Sequence, residues 1–381
     1  MTEPEYFDSF TLLTPLGNTV ATWNDFILDS SPLPITFSFM QQFPDYETGE
    51  AEEDPFRMPV PRLFIPFTDE QRAGIRQILG HIETIADVDF IEVADSPLVV
   101  DPVSGNRGGT LRFANYYRAL DEDLGGAPGA DDGIFCTQAF GPQTAPQGGD
   151  VWVNVDLGST GPMFTNGDED NPVPAISPCV GLDFLFQPVG PGTFEYQVML
   201  NAVATAIGQG APFDVIGGGD QNPILPAETS IDQFTVQAGV TSLDPVTGYS
   251  LYDVNYFQQI YGANTSHNAG DTLYSIGSNL IFGANSREVI WDGGGTDTLS
   301  AMGSTVDNVV VDLRPGFFSS IGSLEENIAV AFGAEIENAV GSVGEDQLIG
   351  NELNNRLIGG DGNDTLRGNG GDDFLIGGTN G

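Results

Sequence analysis

Lysine is absent from this chain. All 11 basic residues are arginines, set against 54 acidic residues for a formal net charge of −43. Such a surface repels nucleic acid and anionic membranes, so neither is an expected partner, whereas multivalent cations are. Histidine and cysteine are scarce, with two of each. Cys136 and Cys179 fit no zinc spacing and allow at most one disulfide, in an oxidising compartment. No uninterrupted apolar run approaches the ~18 residues that a membrane span needs. The N-terminal MTEPEYFDSF lacks a basic stretch followed by an apolar one, so no Sec-type signal peptide is expected.

What is abundant is glycine and proline, 50 and 25 of 381 residues, which favours turns and short strands over long helices. The length accommodates two domains. In the first part, PITFSFM (34–40) reads as a strand. A helix is expected over Thr68–Ala86, with Thr68 and Gln71 forming a capping box and Ile75, Ile78, Leu79, Ile82 and Ile85 its buried stripe. Strands follow at Asp89–Val93, Thr110–Ala114 and Asp150–Val155, then a second helix over Phe194–Ile207. Beyond Tyr249 the pattern turns to short strands and turns. The expected fold class is α+β, with an α/β domain over 1–250 and an all-β domain over 251–381.

From Gly341 the chain repeats every nine residues: GSVGEDQLI, GNELNNRLI, GGDGNDTLR and GNGGDDFLI, with a fifth repeat begun at Gly377 where the sequence stops. This matches the GGxGxDxUx nonapeptide, the calcium-binding parallel β-helix repeat of RTX proteins. Six residues make a glycine-rich turn that exposes carbonyl oxygens, and three make a strand whose leucine (Leu348, Leu357, Leu366 or Leu375) points inward. Calcium takes about 6–8 oxygens from carboxylates and carbonyls. The sixth position supplies Asp346, Asn355, Asp364 and Asp373. Gly341, Gly359 and Asp361 complete the expected ligands here. Turns 18 residues apart stack, so Asp346 is expected over Asp364, the tighter side, and Asn355 over Asp373. Without calcium the stacked carboxylates repel one another. Extracellular calcium modules bind at about 10⁻⁴–10⁻³ M, so folding is expected to wait for export.

FTDEQRAGIRQIL, DVDFIEVAD, GTLRFANYYR and GDVWVNVD, in that order, resemble the N-terminal half of the serralysin family of secreted metzincin metalloproteases. LYDVNYFQQIYGANTSHNAGDTLYS (251–275) and WDGGGTDTLS (291–300) resemble that family's domain junction, and GAEIENAVGSVGEDQLIGN (333–351) the start of its β-roll. The resemblance implies a metzincin-like domain, a parallel β-roll, secretion by the bacterial type I route and a monomer. It also implies junction calcium at Asn268, Gly270, Thr272, Asp292, Gly294 and Asp297, and a neighbouring site at Gly295, Asp297, Glu335 and Glu337.

Serralysins carry zinc on HExxHxxGxxH with a later Met-turn. The matching segment here is NAVATAIGQGAP (201–212), which places Asn201, Ala202, Thr205 and Ala211 at the histidine and glutamate positions. Gln237 and Gly239 stand at the Met-turn methionine and the tyrosine. His81 and His267 are the only histidines and read as solvated surface residues. The expectation is therefore several calcium ions, no zinc, and a chain inactive as a metalloprotease, with no catalytic residues. Its old cleft would bind a peptide, protein or glycan. The alternative is an enzyme with carboxylate chemistry, for which Glu195, Asp214, Glu228 and Asp232 are the candidates.

Overall fold

The structure is a computed structural model that describes residues 31–42, 63–95, 109–117, 137–139, 149–154, 189–209, 236, 247–275, 287–304, 308–322 and 324–379. It divides into two compact units, one from Thr19–Leu79 and Asp89–Gly210, the other from Met1–Asn18, Gly80–Val88 and Ala211–Gly381. Cys136, Cys179 and the disulfide question lie outside the described residues.

The first unit is built on β1 (Leu33–Phe39), β2 (Leu63–Ile65), β3 (Val88–Glu92), β4 (Leu111–Tyr117), β5 (Thr137–Ala139) and β6 (Asp150–Asn154), with helices α1 (Asp69–Ile85), whose residues from Gly80 onward belong to the second unit, and α2 (Phe194–Ala206). The sheet order is β3-β1-β4-β6-β5, with β2 paired to β4. β1, β4 and β6 run parallel, through Phe37↔Leu111 and Arg112↔Asp150, whereas β5 pairs antiparallel with β6. Alternation explains β1: Leu33, Ile35, Phe37 and Phe39 fall on one face and are buried. Phe39, Phe67 and Phe113 pack with their rings tilted to one another and centroids 5.8–6.2 Å apart.

α1 starts where the capping box places it. The Thr68 N–H donates to Gln71 Oε1 (2.9 Å) and the Gln71 N–H to Thr68 Oγ1 (3.2 Å). The expected stripe Ile75, Ile78, Leu79, Ile82 and Ile85 is buried throughout. A buried amide pair, Gln71 with Asn115, ties the helix to β4 through two 2.8 Å hydrogen bonds. α2 is apolar almost all round, with Tyr196, Met199, Leu200, Ala202, Val203 and Ala206 buried, as a helix enclosed in a core must be. The Thr193 hydroxyl caps it by accepting from the Tyr196 N–H (3.2 Å). The expected helices and strands are present, with ends moved by one to three residues.

The second unit contains α3 (Leu251–Tyr261), a helix where only short strands and turns are expected, and there Asp253 Oδ2 accepts from the N–H groups of Ser250 (2.9 Å) and Val236 (2.8 Å). Eleven short strands follow: β7 (Leu273–Ser275), β8 (Glu288–Ile290), β9 (Thr298–Ser300), β10 (Val310–Asp312), β11 (Phe318–Ser319), β12 (Ile328–Val330), β13 (Asn338–Val340), β14 (Gln347–Ile349), β15 (Arg356–Asp361), β16 (Thr365–Arg367) and β17 (Phe374–Thr379). They form three sheets, β17-β15-β13-β9-β7, β10-β14-β16 and β11-β12-β8. From β13 onward successive strands alternate between the first two sheets. Within each sheet the partners are parallel and 18 residues apart: Asn338↔Arg356, Arg356↔Phe374 and Gln347↔Thr365. Leu348 and Leu357 are fully buried between the sheets, whereas Leu375, on the last described rung with a neighbour on one side only, is 46% exposed. The fold is thus mixed, with few helices, many strands and parallel sheets.

Candidate metal centre

Each six-residue turn folds its sixth side chain back over its own beginning. Asp346 Oδ2 accepts from the Ser342 N–H (2.5 Å), and Asn355 Oδ1 from the Asn351 N–H (2.8 Å). The first residue of each of the four complete turns has no room for a side chain. A Cβ on Gly341 would strike Asp346 Oδ2 and the Gly359 carbonyl, and one on Gly359 would strike Asp364 Oδ2 and the Gly377 carbonyl. A side-chain oxygen and a carbonyl oxygen from the stacked turn thus converge beside each of these glycines.

The stacking is as expected, Asp346 over Asp364 and Asn355 over Asp373. It takes the form of a ladder. The Asp346 N–H donates to Asp364 Oδ1 (3.0 Å), and the Val309 N–H to Asp346 Oδ1 (2.9 Å). On the other sheet the Asn355 N–H donates to Asp373 Oδ1 (3.0 Å). Further up the same sheet the Asp297 N–H donates to Glu337 Oε2 (2.7 Å), and the Thr272 N–H to Asp297 Oδ1 (2.7 Å). In every case the acceptor side chain belongs to the rung nearer the C-terminus.

The junction residues gather around Asp292 and Asp297. Asp292 accepts from the Tyr274 hydroxyl (2.6 Å) and the Gly294 N–H (2.7 Å), and the Asn268 amide donates to the same hydroxyl (3.0 Å). Gly295 lies against Gly270, with no space for a Cβ between them. The Thr272 hydroxyl donates to the Gly270 carbonyl (2.8 Å). Burial pushes the Asp297 carboxyl up to about 6, the Thr272 N–H pulls it down, and the neighbouring Asp292 and Glu337 charges add to the rise. Glu337 joins this group, whereas Glu335 and Asp361 are exposed.

Oxygens without protein donors show what these turns can hold. Asp297 Oδ2 and Asp364 Oδ2 are buried and have no hydrogen-bond partner, a costly condition for a carboxylate. Among the described residues no cluster of three or more His, Cys, Asp or Glu side chains forms a metal site. A cation here would therefore take main-chain carbonyls as well, which is the donor set of calcium.

At the expected zinc positions, Asn201 and Thr205 lie one turn apart on α2, where the Thr205 hydroxyl donates to the Asn201 carbonyl (3.1 Å), and Ala202 is buried. Ala211, Gln237 and Gly239 lie outside the described residues. So do Asp214, Glu228 and Asp232. Glu195 is half-buried in the first turn of α2.

His81 corrects an expectation. It is not a solvated residue: its ring meets Tyr249 edge-on (5.9 Å), and Gly248 lies so close that a Cβ there would strike the imidazole. Burial, with the His267 imidazole adding to it, lowers its pKa to about 4. His267 is half-buried, and its pKa is also lowered by burial. The helical pattern placed His81 on a polar face, and only the tertiary packing covers it.

Sequence reading also missed the second residue of each turn. The Ser342 hydroxyl donates to the Asp346 carboxylate (3.1 Å), and Asn351 Oδ1 accepts from the Asn355 amide (3.0 Å). The signal was available, since position two is glycine in GGDGND and carries a side chain in the other three turns.

Glu288 on β8 was missed as well. Burial pushes its carboxyl up to about 8, partly offset by the Thr247 hydroxyl at 3.1 Å. Because the folded pKa is raised, this group contributes nothing unfavourable below its unfolded value near ~4.5. It then destabilises increasingly as pH rises towards 8, by about 3–5 kcal/mol at the limit. Glu288→Gln is therefore expected to flatten the fall in stability between those pH values in denaturant melts. An unchanged slope would refute this.

Residues 258–380 match the family described as Peptidase M10 serralysin C terminal. Serralysin B of Dickeya chrysanthemi is 29% identical over 369 residues, covering 91% of this chain and 65% of its own length. Serralysin of Proteus mirabilis is 26% identical over 371 residues, covering 92% of this chain and 66% of its own length. Metallopeptidase AprA of Pseudomonas marginalis is 39% identical over 137 residues, covering 34% of this chain and 28% of that protein. The chain therefore has serralysin-family homology, and it spans just under two thirds of the length of the first two relatives. The expectation of an inactive chain is overturned. The relatives are named as serralysins, a metallopeptidase and a metalloprotease, which are enzymes, and nothing among the described residues shows loss of activity. The expected exclusion of zinc loses its support with it. Among the described residues no helix is long and apolar enough to cross a membrane.

Proposed function

We propose that this is a secreted, calcium-dependent protein of the serralysin kind. Residues 251–381 form a calcium-binding β-roll, and residues 1–250 form a metzincin-like domain that engages an extended polypeptide. The observation that carries the reading is the orphaned, buried Asp364 Oδ2 beside the Gly359 cradle, repeated at Asp297. Calcium is the hard cation that this mixture of carboxylate and carbonyl oxygens suits, and it would be held through Asp346, Asp364, Asp292, Asp297 and Glu337 with neighbouring carbonyls. Bound there, it neutralises carboxylates that otherwise face one another across the rungs. Millimolar calcium outside the cell fits such modules, which supports secretion, by the type I route.

The polypeptide part rests on the sheet of the first unit. β5 is the last strand in its order, antiparallel to β6, and has no strand partner on its outer side among the described residues. α2, with Asn201 and Thr205, lies against β5 and β6. A free antiparallel edge receives an extended chain by adding it as a strand. The test is incubation of calcium-loaded protein with an unfolded, reduced and alkylated polypeptide, with capture and cleavage both read. Calcium-dependent capture or cleavage is expected. Neither, under conditions where the protein is folded, would refute the polypeptide part.

A further inference from the structure

The four turns of the repeat differ in a way that sorts them by what holds them together. At Gly360/Asp364 the second position has no side chain, and one carboxylate oxygen is left buried and unpartnered. At Asn351/Asn355 nothing is left over. Asn355 is 2% exposed and Asn351 5%. Asn355 Oδ1 accepts from the Asn351 N–H (2.8 Å), and its Nδ2 donates to the Glu337 carbonyl (3.0 Å) and to Asn351 Oδ1 (3.0 Å). Asn351 Oδ1 also accepts from the Leu353 N–H (3.0 Å), while Asn351 Nδ2 donates to the carbonyls of Ile336 (2.9 Å) and Leu313 (3.2 Å). Both hydrogens of each amide are used.

The surroundings fix which end of Asn355 is which. Rotating the amide by half a turn would set its NH₂ against the Asn351 N–H and its oxygen against the Glu337 carbonyl, two repulsions in place of two bonds. So the group presented to the Glu337 carbonyl is an N–H donor. A calcium ion at this point would meet that donor, and it would find the Glu337 carbonyl and Asn351 Oδ1 already engaged. In the stacked turn the Asn369 amide donates to the Gly350 carbonyl, which is thereby engaged as well. A neutral amide also adds no charge to a column that already carries Glu337 and Asp373.

We infer that the 350–355 turn is a metal-free rung, in which the Asn351–Asn355 amide network takes the place of a calcium ion, so that Asn355 is not a calcium ligand as the repeat pattern suggests. The inference rests on the reading of the other turns as calcium sites. The β-roll then has a metal-dependent side at Asp346/Asp364 and a hydrogen-bonded one at Asn355.

Anomalous scattering from crystals grown with a calcium-mimicking lanthanide decides it. Wild-type protein is expected to show a peak beside Asp364 and none beside Asn355. Asn355→Asp removes the donor and is expected to bind one more calcium per chain by equilibrium dialysis, whereas Asp364→Asn binds one fewer. A wild-type peak beside both residues, or no gain of calcium in folded Asn355→Asp, overturns this inference while leaving the calcium reading intact. No peak at either place overturns the calcium reading, and this inference with it. Should Asn355→Asp not fold, the wild-type peaks decide alone.

Discussion

Removing calcium with a chelator is expected to lower the melting temperature of the C-terminal unit by roughly 10 °C for each site emptied. A site held at about 100 times its dissociation constant contributes roughly 2.7 kcal/mol, and in a unit of this size 1 kcal/mol corresponds to about 2–8 °C. The effect has a second source. With the cation gone, Asp346 faces Asp364 across one rung spacing, and Asp297 faces Asp292 and Glu337. These acids lie within a chain of net charge −43. Calorimetry with and without chelator, at fixed ionic strength, reads the shift. A melting temperature that does not move would remove the basis for the calcium sites.

The second large effect is expected from a single methyl group. Gly359→Ala places a Cβ against Asp364 Oδ2 and the Gly377 carbonyl, the two oxygens that converge on the cradle. Overpacking of this kind costs about 1–3 kcal/mol, and here the atoms displaced are candidate ligands, so calcium binding at Asp364 should be lost as well. The molecule supplies its own control. Gly377 is also the first residue of a repeat, but a Cβ added there meets nothing within 4 Å. Gly377→Ala is therefore expected to keep the calcium stoichiometry of the wild type. Equal behaviour of the two variants in dialysis and in thermal melts would show that the cradle has no special role.

Much of the architecture could be read from spacing because spacing is what local physics sets. The nine-residue period places Leu348 and Leu357 between two sheets and stacks Asp346 on Asp364. The Thr68–Gln71 box starts α1, and the isoleucine stripe decides which face it buries. What could not be read depends on partners far away in sequence. His81 sits on the polar side of α1 by pattern, yet it is covered by Gly248 and Tyr249, more than 160 residues on. Glu288 reads as an ordinary strand residue until Thr247 and its burial are seen. Asn355 was assigned by its place in the repeat. Its chemistry was decided by Asn351 and by the Glu337 carbonyl, 18 residues earlier. The overturned expectation of inactivity rests on the substituted positions within 201–212 and on a chain with only two histidines, and it is the relatives named as serralysins and a metallopeptidase that stand against it.

The ladder of sixth-position side chains ties each rung to the one after it. One backbone N–H per rung is satisfied by a side chain that comes later in the chain: Val309 by Asp346, Asp346 by Asp364, Asn355 by Asp373. An acceptor lost from a late rung strands a donor in the rung before it. A rung lost from the beginning also strands donors, because the N–H groups of Gln347, Thr365 and Phe374 donate back to the carbonyls of Val309, Asp346 and Asn355. Each rung therefore depends on both of its neighbours, through side-chain acceptors of the later rung and main-chain carbonyls of the earlier one. Asp373, half-buried in the last complete turn, supports Asn355, 18 residues before it in sequence.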